Sequence, residues 1–368
     1  MIYADNAATT QLDIDAFEAM KPFLLDQYGN ASQPYSFSRT AKKALSDARK
    51  TIAACIGADE AEIIFTSCGT ESDNWAISVG ASAGKRIVTS AIEHHAILNP
   101  CDAAQACGKE IIYIPVSNQG VVNLSLLEKE ISDDTGMISI MYANNEIGSI
   151  QPISEIAKIA HAKKCLFHTD AVQALGHVPI DVHAMDIDML SASAHKFNGP
   201  KGVGFLYLKK GISICPFIKG GGQESGLRAG TENIASIVAM SVALEKNCKN
   251  INANTKKLQS LEDALIKTLK AGDLDFLHNG SDLRIPGNVS LSFRKAEGEM
   301  LLHRLDLQGI CISTGSACDS KNTQVSHVIR AIKVPEEYAK GTIRISFGKN
   351  NTIEEAEKIG KSLIKILK

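Results

Sequence analysis

Residues 191–204, SASAHKFNGPKGVG, hold a lysine in a setting suited to covalent amine chemistry. A lysine amine reacts only when it sheds its proton part of the time, which a desolvated or already positive site allows. An apolar run at 187–190 leads into small residues and the His195-Lys196 pair, and Gly-Pro-Lys-Gly then turns the chain into a second apolar run at 203–208. This spacing predicts Lys196 at the end of a buried strand, where open α/β sheets bind their ligands. HTDAVQ at 168–173 follows another apolar stretch and sets Asp170 and Gln173 at a second strand end. A lysine that can form a Schiff base and an aspartate that can pair with a pyridinium nitrogen are the two protein groups that pyridoxal phosphate requires.

Further strand ends carry polar groups. TSCGTESDN at 66–74 opens a helix, where unpaired amides and the helix dipole attract an anion. Gly69 would let the backbone approach a phosphate and Thr70 adds a hydroxyl, although a simple N-cap explains such a turn as well. The Gly-Lys-Ser/Thr of a nucleoside-triphosphate loop is missing. IEHH at 92–95 offers His94, which could lie over an aromatic ring and move protons near neutral pH. The same histidines, with His168 and Asp170, also read as metal ligands. NNEIG at 144–148 contributes Asn145. GGGQESGLRAGTEN at 220–233 embeds Arg228, Thr231 and Asn233 in a glycine-dense stretch that reads as an anion-contacting loop. STGSACDS at 313–320 sets Cys318 in a small, polar loop, better placed for exposure and for the thiolate than cysteines inside apolar runs.

These residues need a scaffold, and the chain is long enough to build one. Its 368 residues exceed one ordinary core, so two domains or one large domain with an appendage are expected. A net charge of -2 supplies no field to draw the chain to nucleic acid or a membrane. No apolar stretch approaches a membrane span and no secretory leader is visible, so a cytoplasmic location is expected. Nine cysteines without C-x-x-C pairs argue against a disulfide framework and a zinc ribbon, and read mostly as buried small hydrophobes.

Apolar runs of strand length (IIFT, RIVTS, EIIYIPV, MISIMYA, CLFHTD, DMLSAS and GVGFLYLKK) alternate with helical segments. That β-α repetition predicts an α/β fold with a mostly parallel sheet covered by helices on both faces. A long polar helical segment from Glu232 to about Lys270 breaks the pattern. Beyond it NVSLSF, CISTG and GTIRISF are short and alternating, which predicts a smaller α+β domain. Thr352 and Glu355 have the spacing of a capping box for a last helix.

In this order and spacing, DNAATT at 5–10, TSCGTESDN, EHHA, NNEIG, HTDAVQ, SASAHKFNGPKGVG, GGGQESGLRAGTEN and STGSAC resemble the cysteine desulfurases, pyridoxal 5'-phosphate enzymes of the class V aminotransferase group. The resemblance implies PLP fold type I. A large domain with a mainly parallel seven-stranded sheet would span 14–250, and a small domain would combine 1–13 with 251–368, in a homodimer. By the same resemblance Lys196 is the Schiff-base lysine, Asp170 pairs with the pyridine nitrogen and Gln173 with the ring oxygen. His94 stacks on the ring as acid or base. Gly69, Thr70, Ser193 and His195 form the phosphate cup, with Thr231 reaching in from the partner subunit. Asn145 and Arg344 hold the carboxylate of L-cysteine, and Cys318 takes the sulfur as a persulfide, leaving L-alanine. The acceptor would be an iron-sulfur scaffold or a thiolation enzyme; no resident metal, direct nucleic-acid contact or membrane contact is implied.

The uninterrupted spacing after Cys318 resembles the subgroup with a long cysteine loop. Ala31, Tyr35 and Ser38 stand where the family usually has proline, histidine and glycine, and DSKNTQVSH lacks the frequent Leu-Glu-Pro-Ser. Two other readings share parts of the pattern. A related class V aminotransferase or selenocysteine lyase would use the lysine and aspartate without needing Cys318. A non-enzymatic sulfur- or metal-binding module would use the histidines and cysteines alone.

Overall fold

The computed structural model describes residues 1–315 and 325–368. The chain opens with β1 (Ile2–Tyr3), α1 (Ile14–Leu25) and α2 (Arg39–Ile56). It continues through β2 (Ile63–Thr66), α3 (Gly69–Ala83), β3 (Arg86–Ser90), α4 (His95–Ala106), β4 (Glu110–Ile114), α5 (Leu124–Glu130), β5 (Thr135–Ser139), α6 (Ile153–Ala162) and β6 (Leu166–Asp170). β7 (Met189–Ser193) and β8 (Gly204–Leu208) complete one sheet, in the order β2-β8-β7-β6-β5-β3-β4. All of its pairings are parallel except those of β8 with β2 and β7. β5 and β7 are buried along their whole length because helices cover both faces, which is why they read as continuous apolar or small-residue runs. The expected α/β architecture and seven strands are present.

The polar helical segment expected from Glu232 to Lys270 is two helices, α7 (Ile234–Lys249) and α8 (Ile251–Ala271). Asn250 makes the break: its side-chain amide donates to the Lys246 carbonyl at 2.7 Å, while its own backbone leaves the helical region at φ -113°, ψ 11°. α7 is not a polar helix, since most of its residues are buried against the main sheet's core. α8 presents Leu258, Leu261, Leu265 and Leu269 at helical spacing to a second core. Each such leucine contributes ~1.5–3 kcal/mol when fully buried.

That second core lies under a three-stranded antiparallel sheet of β9 (Phe276–Asn279), β10 (Asn288–Phe293) and β12 (Thr342–Ser346), with β10 in the middle. The periodicity predicted β10 and β12 but not β9, whose residues are mostly only half-buried. Around the sheet lie α9 (Gly298–Asp306), β11 (Ile310–Cys311), the short α10 (His327–Ala331) and α11 (Glu336–Ala339), and α12 (Ile353–Leu367). α12 starts at the expected capping box, Glu355 N–H donating to Thr352 Oγ1 at 3.3 Å and Thr352 N–H to Glu355 Oε2 at 3.2 Å. β1 pairs in parallel with β11, and Asp5 bridges to Ser346. The first residues of the chain are thereby tied to its last strand, and residues 5–10 run on to the end of the main sheet.

No described helix is long and apolar enough to cross a membrane. Of the eight described cysteines only Cys101 and Cys165 are buried, whereas Cys107 and Cys215 are exposed. The expectation of mostly buried thiols therefore fails: the other four are half-buried, Cys107 is the exposed C-cap of α4 and Cys215 lies in an exposed loop.

Candidate active site

The ends of β2, β3, β6 and β7 converge on one cavity of about 270 Å³. Gly69, Thr70, His94, Asp170, Gln173 and Lys196 line it. So do Ser193, His195, Asn145 and Arg344, so ten of the positions singled out from the sequence meet there. This is the crevice outside the carboxyl ends of parallel strands in which α/β sheets hold ligands.

Lys196 sits in a single 3-10 turn, Ala194–Lys196, directly after β7. Its Nζ donates to the backbone carbonyls of Ala7 at 2.6 Å and Ala8 at 2.9 Å. Gln173 Nε2 donates to the same Ala7 carbonyl at 2.9 Å. Thr10 Oγ1 donates to the His195 carbonyl at 2.9 Å and accepts the Asn198 N–H at 2.8 Å. The DNAATT segment thus clamps the lysine turn, a role the sequence did not reveal because backbone carbonyls leave no residue signature.

His94 is the N-cap of α4, where its Nδ1 accepts the Ala96 N–H at 3.1 Å. That bond fixes the neutral tautomer with the proton on Nε2. Burial, with the charges of Lys196 and the neighbouring histidines, holds its pKa down at about 4. His195 is likewise held at about 4, mainly by burial and then by the Lys196 charge. Both rings are neutral near pH 7.

Asp170 accepts the Val172 N–H at 2.9 Å. Burial pushes its pKa up to about 6, against the pull of that bond and of Lys196. Two further buried carboxyls lie behind it. Asp73 is pushed well above the ordinary range by burial and then by the Asp170 charge. Glu93 is pushed up to about 8 by burial, although Ser90 and the Met141 N–H bond to it. A single negative charge in this trio is best carried by Asp170, the carboxyl that interacts with Lys196. Asp73 and Glu93 had no signal in the sequence beyond their place inside the TSCGTESDN and IEHH motifs.

Arg344 is buried in β12 and is 2% exposed. Its Nη2 donates to Asp5 at 2.7 Å and its Nη1 to the Asn145 carbonyl at 2.9 Å, while Nε has no partner among the described residues. The loop that carries Asn145 is built by Asn144, whose Oδ1 accepts the N–H groups of Glu146 and Ile147 and whose Nδ2 donates to the Ile92 carbonyl. Gly148 closes it at φ +73°, where a side chain would be strained.

Three expectations are revised. Arg228 is engaged within the chain rather than aimed at a bound anion: Nε and Nη2 donate to the Glu71 carboxylate at 2.9 and 3.1 Å. Asn233 is the N-cap of α7, accepting the Ser236 N–H. Gly69 lines the cavity, and its missing side chain also makes room for Val172, whose Cγ2 would lie 2.6 Å from an added Cβ. Thr231 is exposed and does not line the cavity of its own chain. His168, offered as a metal ligand, has Nδ1 on Ser139 Oγ at 2.9 Å and Nε2 on Ser191 Oγ at 3.0 Å, and no group of three potential ligands occurs among the described residues. Cys318 lies outside the described residues; Gly315, the last one described ahead of it, lines the cavity.

The class-V aminotransferase family model matches residues 2–359. The chain is 48% identical to the cysteine desulfurase IscS of Dictyoglomus turgidum, over 96% of this chain and 91% of that protein. It is 47% identical to that of Methanosarcina thermophila, over 97% and 90%. It belongs to the cysteine desulfurases, pyridoxal-phosphate enzymes of class V. Among solved structures, a NifS-like protein superposes with a TM-score of 0.94 at 37% identity, covering 100% of this chain and 99% of the other.

The residues fit the cofactor that this family uses. Asp170 offers a carboxyl at one end of the cavity. The start of α3 with Thr70, Ser193 and His195 offers amide, hydroxyl and imidazole groups for an anion. The buried Arg344 Nε, without a partner among the described residues, leaves a charged donor for a carboxylate in the same cavity.

Proposed function

We propose that this desulfurase converts L-cysteine to L-alanine and carries the sulfur away as a persulfide on Cys318. Lys196, Asp170, His94 and Arg344 around one cavity are the observation that carries this reading. Pyridoxal phosphate, when bound, supplies the electron sink that weakens bonds at the amino acid's carbons. Lys196 is the amine that attaches it, Asp170 holds the ring nitrogen protonated, and Gln173 bonds the ring oxygen. Gly69, Thr70, Ser193 and His195 take the phosphate, completed by Thr231 from a second copy of the chain in a homodimer. Arg344 and Asn145 orient the substrate carboxylate. His94, neutral with its proton on Nε2, serves as a donor facing the reacting group.

Cys318 as thiolate attacks the substrate sulfur; the sulfur–sulfur bond forms as the carbon–sulfur bond breaks, and the carbon fragment takes a proton to become alanine. The persulfide then passes to an acceptor protein for iron-sulfur cluster assembly or nucleic-acid thiolation, in the cytoplasm. We assign the same domain division as the sequence suggests, 14–250 against 1–13 with 251–368, since the second core draws on both chain ends.

Mass spectrometry after a single turnover tests this. One extra sulfur on the peptide that holds Cys318, and no alanine from Cys318→Ser despite retained cofactor and cysteine binding, is the expected result. Normal turnover by the serine variant would instead favour a class V aminotransferase or lyase that does not use Cys318.

A further inference from the structure

Away from the active site, the last turns of α2 and α7 bring two cysteines together. Cys55 and Cys248 are both half-buried, both pack against the edge of the main core, and both line one cleft with Leu175, Pro179 and Lys249. α2 and α7 pack along one another, so the two thiols share this cleft and lie within electrostatic reach of each other. Nothing in the desulfuration reaction uses them.

We propose that Cys55 and Cys248 form a dithiol site that hydrogen peroxide oxidises to a disulfide, joining the ends of α2 and α7. The neighbouring Cys55 thiol holds the Cys248 pKa down, against burial, which favours Cys248 as the first nucleophile. Its sulfur attacks one peroxide oxygen, the O–O bond breaks, and hydroxide leaves as Cys248 becomes a sulfenic acid. Cys55 then attacks that sulfur, the S–S bond forms, the S–O bond breaks, and water departs. Two thiols and one peroxide give one disulfide and two waters, the sulfurs supplying both electrons. Cys55, held more firmly to its proton by Cys248 and by burial, is the resolving partner.

The site is adjacent to the lysine turn. Asn247, next to Cys248, donates to the Phe197 carbonyl at 2.8 Å and to the Ala243 carbonyl at 2.9 Å. Phe197 follows Lys196. A covalent tie at Cys248 therefore stiffens the helix end that holds residues 194–199.

Limited peroxide treatment of the full-length holoenzyme, followed by alkylation and peptide mapping, tests the proposal. A disulfide-linked peptide joining Cys55 to Cys248 should appear and disappear with dithiothreitol. The oxidised protein should melt at a higher temperature than the reduced one, and its amide exchange across 194–199 should slow. Cys55→Ser and Cys248→Ser should each lose the linked peptide and the Tm shift. If both thiols of the wild-type protein remain alkylatable, or are oxidised singly to sulfinic acids with no cross-link, the proposal fails. Unchanged exchange across 194–199 in the cross-linked protein would overturn the coupling to the lysine turn.

Discussion

Lys196 Nζ lies 2.6 Å from the carbonyl oxygen of Ala7, which also accepts Gln173 Nε2, so two side chains of the main sheet rest on one peptide of the first ten residues. Lys196 is therefore held by backbone from the other end of the chain. Its positive charge also acts on His94, His195 and Asp170.

Lys196→Ala should abolish any borohydride-reducible bond between protein and cofactor, while loosely bound cofactor stays through the phosphate groups. The His94 pKa should rise from about 4 once the lysine charge is gone. Reduction with borohydride and NMR titration of the ring measure both. Persistence of a reducible bond would show that another amine serves.

Asp170→Asn should fold and lose turnover by on the order of 100-fold, because the ring nitrogen loses its charged partner. The raised pKa of Asp170 means that burying its carboxylate opposes folding above about pH 6. The variant without cofactor should thus melt no lower than the wild type at pH 8. Unchanged turnover would remove the electrostatic role.

Arg344→Lys keeps the charge but loses the fork that reaches Asp5 and the Asn145 carbonyl while leaving Nε for a ligand. The KM for L-cysteine should rise by roughly tenfold or more, the loss of one charge-assisted hydrogen bond. Steady-state kinetics check this, and a fall in kcat alone would point away from carboxylate binding.

Glu93→Gln isolates a buried carboxyl whose pKa is raised to about 8. Between its ordinary value of 4.5 and about 8 the folded protein holds a proton that the unfolded chain releases, so stability falls as pH rises through that window. Glutamine keeps an acceptor for the Met141 N–H and cannot ionise. Denaturant titrations from pH 5 to pH 8 should show the variant gaining on the wild type as pH rises, by up to a few kcal/mol. Parallel pH profiles would mean that Glu93 ionises without cost.

The strand ends that bear Gly69, His94, Asp170 and Lys196 were legible in the sequence, because a short apolar run followed by small and polar residues has one physical meaning in an α/β chain. The local signals, the capping box at Thr352 and the alternation within β10 and within β12, were legible because each is written within a few residues of one segment. Tertiary structure alone decided what meets across long separations. Asp5 and Arg344 stand 339 residues apart in sequence and 2.7 Å apart in space, and Ala7 and Lys196 are 189 residues apart. Arg228, which sequence composition aims at an anion, is neutralised by Glu71, 157 residues earlier. The meeting of Cys55 with Cys248 has the same cause, whereas the break at Asn250 is a local bond to the Lys246 carbonyl four residues earlier. Periodicity reports which face of a segment is buried, but which polar group is waiting there depends on how distant segments close over one another, and that is fixed only when both cores pack.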